Sequence, residues 1–228
     1  MLASLAFGVR IDADAPFKQG VDSVAPTDIE YARELGYRIK HLGIARREGD
    51  ALQLRVHPTL IPESKAIAQV DGVLNAVMIS ASGVGELLLV GPGAGSRPTA
   101  SAVMSVVVSI ARSVAGNEQP DVRSMGVRVD ALSQPAIVPI SEVSSGWYLR
   151  LDAEDKPGVM AALTHCLSQH AIGIESLIQK PESKELAKVP VILLTDEAPT
   201  RAIERAIADI EALPSVGGPV TPFRVENF

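Results

Sequence analysis

The sequence predicts an α+β fold in two parts, a mixed-sheet portion followed by a β-α-β-β-α-β unit. Three observations carry this. Alternating segments come in adjacent pairs over residues 9–92, as antiparallel hairpins do, with helical segments between them. An apolar run, Leu87 to Val90, leads through the glycine turn Gly91-Pro92-Gly93-Ala94-Gly95 into a stretch with Ala100, Val103, Val107, Ile110 and Val114 at helical spacing. Residues 146–228 then read strand, helix, strand, strand, helix, strand, the order of the ferredoxin-like split unit, whose antiparallel sheet carries both helices on one face.

Each element has its own signal. The opening Met1–Phe7 favours a helix and Gly8 stops it, but nothing before it caps the helix, so we expect a longer helix that begins upstream. Thr27-Asp28-Ile29-Glu30 reads as a T-x-x-E capping box for a helix ending at Gly36, with Asp28, Glu30 and Glu34 as solvated end charges. Residues 37–47 and 51–58 alternate around Glu48-Gly49-Asp50 and predict a hairpin. Pro62 is read as the start of a short helix through Ile67 and Val70. A second strand pair, 74–82 and 86–91, joins at Gly83-Val84-Gly85, with Asn75 read equally as a buried strand-start hydrogen-bonding residue or as a ligand contact. The glycine turn then opens a helix over about 98–114 with Pro98 in its first turn.

Residues 116–145 are polar and proline-punctuated apart from Ala136–Ile140, and separate residues 1–115 from 146–228 as a linker. In the last part Trp147 opens the first strand as a packing residue. Asp155-Lys156-Pro157-Gly158 turns into a helix whose apolar side carries Val159, Leu163, Cys166 and Leu167. The two further strands, a helix with Ile203, Ile207 and Ile210, and the strand from Val220 complete the unit.

Composition narrows the function classes. With 46% hydrophobic and 4% aromatic residues in 228, the chain can bury cores built mainly of aliphatic side chains. A net charge of -6 with no long basic cluster argues against nucleic acid and acidic membranes as partners. Cys166 stands alone, which rules out an intrachain disulfide, and His41, His57, His165 and His170 lack metal-ligand spacing, so no metal is expected. No apolar run is read as approaching the roughly 20 residues that span a bilayer, and no signal peptide is legible, so a cytoplasmic chain is expected.

The glycine turn is chemically suggestive. Free amides at a helix start favour an anion, and Gly91, Gly93 and Gly95 allow positive φ angles and close backbone approach. The same pattern is also an ordinary tight connection. It is neither a P-loop nor the G-x-G-x-x-G fingerprint.

Residues 1–115 resemble the carboxyl half of the catalytic portion of homoserine dehydrogenase, through LASLAFG, DIEYARELGYRIKHLGIA, HPTLIP, VDGVLNAV and GPGAGSRPTASAV. Residues 146–228 resemble an ACT domain, the amino-acid-sensing module, through DKPGVMAAL and GIESLIQ. The resemblance implies a catalytic and dimerisation portion over 1–115 and a regulatory ACT domain over 146–228. It also implies that the nucleotide-binding domain and the catalytic lysine lie upstream of Met1, since Lys18, Lys40 and Lys65 do not match that position. Catalytic residues are therefore expected to be absent here. Gly93, Ala94, Gly95 and Thr99 are expected beside the NAD(P) of the complete enzyme, and the chain alone is expected to bind none.

Where the family carries an acidic residue near Val106, this helix has none. For the complete enzyme the resemblance implies NAD(P)-dependent interconversion of L-aspartate 4-semialdehyde and L-homoserine. It further implies homo-oligomers and an amino-acid effector such as threonine at Asp155, Gly158 and Val159. The alternative is a stand-alone ACT-containing sensing or interaction protein.

Overall fold

The computed structural model describes residues 2–116, 132–179 and 188–228. It forms two compact units, one of Met1–Ile11 with Ser64–Gln134, the other of Asp12–Glu63 with Pro135–Phe228. Packing therefore groups residues 12–63 with the β-α-β-β-α-β segment, across the linear order of the chain.

The larger unit is built on a seven-stranded mixed sheet. Its strands are β1 (Phe17–Lys18), β2 (Tyr37–Glu48), β3 (Ala51–Pro62), β6 (Ser144–Ala153), β7 (Ile174–Gln179), β8 (Val189–Pro199) and β9 (Val216–Val225). They run in the order β1-β3-β9-β6-β8-β7, with β2 on the other edge of β3. The β9-β6-β8-β7 portion is antiparallel throughout, as the split unit requires. β3 ties the two stretches of chain together: Thr59 and Leu60 pair in parallel with Arg224 and Val225, Phe17 and Lys18 pair with Arg55 and Val56, and Leu52 bridges Ile137. The apolar patch Ala136–Ile140 is thus stitched to a strand edge.

The β2–β3 hairpin closes on two residues, since Glu48 faces Ala51. Gly49, at φ +58°, supplies the left-handed geometry such a turn needs.

Both faces of this sheet are covered. Trp147, Leu149, Leu151, Val191 and Leu193 point to one side and pack with Leu163 and Leu167 of α4 (Val159–Gln169) and Ile203 and Ile210 of α5 (Thr200–Glu211). Leu60, Tyr148, Ile192, Leu194 and Phe223 point to the other, against Tyr31 and Ala32 of α2 (Pro26–Glu34). Each fully buried aliphatic side chain contributes roughly 1.5–3 kcal/mol. Cys166 packs in the first of these clusters, where burial and then the charge of Asp209 push its thiol up, away from nucleophilic use.

The smaller unit holds α1 (Leu2–Phe7), the hairpin β4 (Leu74–Ala81) and β5 (Gly85–Pro92), and α3 (Ser96–Ala115). Gly8, at φ +62°, ends α1 in the left-handed conformation and lets Val9 N–H reach the Ser4 carbonyl. No residue of α3 is buried, and Val103, Val106, Val107 and Ile110 are all exposed, as are Val77, Ile79, Leu87 and Leu89 of the hairpin.

Several expectations change. The two hairpins do not share a sheet, because β4 and β5 pair only with each other among the described residues. Pro62 ends β3 instead of starting a helix, and a single 3-10 turn, Ala66–Gln69, follows. The cap of α2 is Ala25, with Pro26 and Thr27 already inside the helix; Asp28 at the third position takes the Ala25 N–H at 2.8 Å. Asn75 is exposed. The 20 residues of α3 are long and apolar enough to cross a membrane on length and composition, which corrects the expectation that no such run exists. Arg97 and Arg112 interrupt the run without taking it below that threshold.

Candidate cofactor turn and effector turn

Strand β5 delivers the chain to the glycine turn, where Gly93 N–H donates to the Val73 carbonyl at 3.0 Å. A Cβ at Gly93 would fall 1.9 Å from Nδ2 of Asn75, so only glycine lets this side chain lie across the turn. Gly95 caps α3 at φ 118° and ψ 154°, a region open almost only to glycine. Its carbonyl accepts from both the Thr99 N–H at 3.2 Å and the Thr99 hydroxyl at 2.8 Å. Gly93, Ala94, Gly95 and Thr99 thus lie together on one exposed arc. The Thr99 hydroxyl holds the turn in shape, and the first turn of α3 contains no acidic residue to compete with an anion.

At the start of α4, Gly158 is the cap at φ +93°, again left-handed. The carboxylate of Asp155 accepts from Nε2 of Gln179 at 3.0 Å, which joins the turn to the end of β7. Asp155 and Gly158 face solvent, whereas Val159 turns its side chain into the core and donates its N–H to the Lys156 carbonyl at 3.3 Å. The structure therefore gathers Asp155, Gly158 and Gln179 into one exposed feature and turns the Val159 side chain away from it.

Two buried polar groups were not expected. Asp28 is no solvated end charge; it is fully buried and accepts from the Tyr148 hydroxyl at 2.9 Å and from Arg150 Nε at 2.6 Å. Arg150 reaches on to Thr221 at 3.2 Å. Burial, then the charge and hydrogen bond of Asp28, push the Tyr148 phenol up. This carboxylate fastens α2 to the face of the sheet.

The second group lines one side of β3. Gln53, Arg55, His57 and Thr59 alternate along the strand and all are buried, with Arg224 and Glu226 from the adjacent chain end. Arg55 pairs with Glu226 and Gln53. Arg224 donates to Thr200 at 2.9 Å and to Ser145 at 3.2 Å, and its guanidinium lies 4.2 Å from the Trp147 ring centre. Trp147 packs as expected and offers its ring to this cation.

Burial pulls the His57 imidazole down to about 4; the Pro58 carbonyl opposes this, while Arg224, Arg55 and His41 add to it. Burial and the neighbouring Arg55 likewise pull Arg224 down to about 10. The only trace of this row in the sequence is the alternation L-Q-L-R-V-H-P-T, which a solvated polar face would produce equally well.

Together, the sheet-and-helix split unit and the glycine-capped strand-turn-helix define an α+β protein of two parts. Residues 1–108 match the family model for homoserine dehydrogenase, and residues 147–212 match that for the ACT domain. By these matches residues 1–108 are of the homoserine dehydrogenase type and residues 147–212 of the ACT type.

It is 44% identical over 228 residues to the homoserine dehydrogenase of Pseudomonas aeruginosa and 41% identical to that of Neisseria gonorrhoeae, covering all of this chain and 52% of each relative. A crystal structure of a homoserine dehydrogenase from Thiobacillus denitrificans superposes with a TM-score of 0.87 at 41% identity, over 99% of this chain and 51% of that one. The chain thus spans about half the length of the relatives it matches.

Proposed function

We propose that this chain serves a homoserine dehydrogenase, which interconverts L-aspartate 4-semialdehyde and L-homoserine with NAD(P), in the biosynthesis of threonine, methionine and isoleucine. Residues 1–115 supply part of the catalytic and dimerisation portion, 116–145 the linker and 146–228 the ACT regulatory domain. The observation that carries the reading is identity of 44% sustained over all 228 residues, with the glycine turn intact and exposed.

The residues present suit the edge of a cofactor site. Ala94 and Gly95 present backbone with little side chain in the way, the Asn75 side chain lies beside Gly93, and Thr99 positions the Gly95 carbonyl. The cofactor would supply the hydride; this chain would supply a surface for it to rest on, and no acid or base. The complete protein is read as a cytoplasmic homo-oligomer.

The expected result for the purified chain is no oxidation of NADPH with aspartate semialdehyde, and turnover by this chain alone would overturn the assignment of the chemistry to other residues. Calorimetry tests the sensing role: threonine should bind, and Asp155→Ala or Gly158→Val should weaken it about tenfold or more. Absence of heat with threonine, isoleucine and methionine would assign Asp155 and Gly158 to fold and dimerisation alone.

A further inference from the structure

The buried row on β3 has a second feature. A cleft of about 400 Å³ opens beside it, between residues 15–17 and residues 137–143, with Arg55 in its wall. That volume lies in the range of small-molecule sites. Phe17, Leu54, Ile137, Ile140 and Val143 make most of the remaining wall apolar.

The charges next to it do not balance. Arg55 is fully buried, its Nη atoms are taken by Gln53 and Glu226, and its Nε–H has no acceptor among the described residues. Arg224 is buried as well; its donors go to two neutral hydroxyls, and its guanidinium lies 6.0 Å from the centre of the Phe17 ring that lines the cleft. Against these two buried cations stands one buried carboxylate, Glu226, while the charge of the exposed Glu204 also acts on Arg224. A buried cation without a counter-charge is costly, and an unmade hydrogen bond adds to the cost. An anion entering from the cleft would offset both.

The lining also decides which anion. A single lining guanidinium, already paired in part, and an apolar wall suit a monoanion with a hydrocarbon body better than a phosphate. No lining side chain is a carboxylate, amide or hydroxyl, so an α-ammonium group would find no side-chain acceptor. We propose that the cleft beside Arg55 binds a small aliphatic carboxylate that lacks an amino group. The site is separate in residues and in chemistry from the amino-acid turn at Asp155 and Gly158, and it does not depend on the function proposed above.

Hexanoate, hexanamide and L-norleucine share one carbon chain and differ only in the groups that matter. Titrated into this chain by calorimetry or ligand-observed NMR, hexanoate should bind saturably, and the other two about tenfold or more weakly, the loss expected for one charge-assisted hydrogen bond. Ala15→Trp, at the half-buried rim and away from the ion pairs, should abolish hexanoate binding with the fold retained by circular dichroism. Arg55→Met should do the same where it folds. Asp155→Ala should leave hexanoate binding unchanged. No saturable binding of hexanoate, equal binding of hexanamide or norleucine, or full binding by Ala15→Trp would each overturn the proposal.

Discussion

At the scale of single residues, His57 and Gly95 carry the most direct consequences. His57 is buried neutral, with Nδ1 near the Thr59 hydroxyl at 3.0 Å and Nε2 without a partner among the described residues. Its value falls from 6.5 to about 4 on folding, so the unfolded chain takes up the proton first. The contribution is therefore full above about pH 6.5 and is lost as pH falls towards 4, a change on the order of 3 kcal/mol. Urea unfolding at pH 7 and pH 5 should show a smaller loss for His57→Phe than for the unaltered chain; equal slopes would mean that the ring is not buried neutral. Gly95→Ala forces a side chain into a φ of 118° and should cost about 1–3 kcal/mol, read as faster amide exchange at the start of α3. Gly93→Ala should cost less, under about 1 kcal/mol, because the group it meets is the end of the exposed Asn75 side chain, which can swing away.

At the scale of elements, α2 illustrates why a local motif can be read correctly and still be misunderstood. T-x-x-E located a helix start, but Asp28 and not Thr27 makes the capping contact, and the same carboxylate is buried against Tyr148 and Arg150. Asp28→Ala removes four hydrogen bonds at once and leaves Arg150 without its carboxylate. It should destabilise the larger unit by about 3–5 kcal/mol in urea unfolding, whereas Glu30→Ala, on an exposed position of the same helix, should stay within about 0.5 kcal/mol. A loss under about 1 kcal/mol for Asp28→Ala would mean that this network does not hold α2 to the sheet. Hairpin β2–β3 was equally legible, through alternation and a Gly-Asp turn, but its neighbour in the sheet was not. Parallel pairing of Thr59 and Leu60 with Arg224 and Val225 joins residues more than 160 positions apart, and no local pattern encodes that choice.

For the whole molecule, the smaller unit presents apolar surface on both α3 and the β4–β5 hairpin, more than a stable monomer commonly leaves in water. Val103, Val107 and Ile110 of α3 are exposed among the described residues. The purified chain should self-associate in sedimentation experiments, and Val107→Asp should raise the monomer fraction; a monomeric unaltered chain would remove this argument. The sequence by itself determined most element positions, the β-α-β-β-α-β order and the two glycine turns, because periodicity, proline and glycine act over a few residues. Only the tertiary structure decided that residues 12–63 extend the ACT sheet, that Asp28 lies in the interior, and that Arg55, His57 and Arg224 form a buried polar row beside a cleft. Those outcomes depend on which face of a strand is covered by distant chain, and an alternating sequence looks the same whether its polar side meets water or another layer of protein.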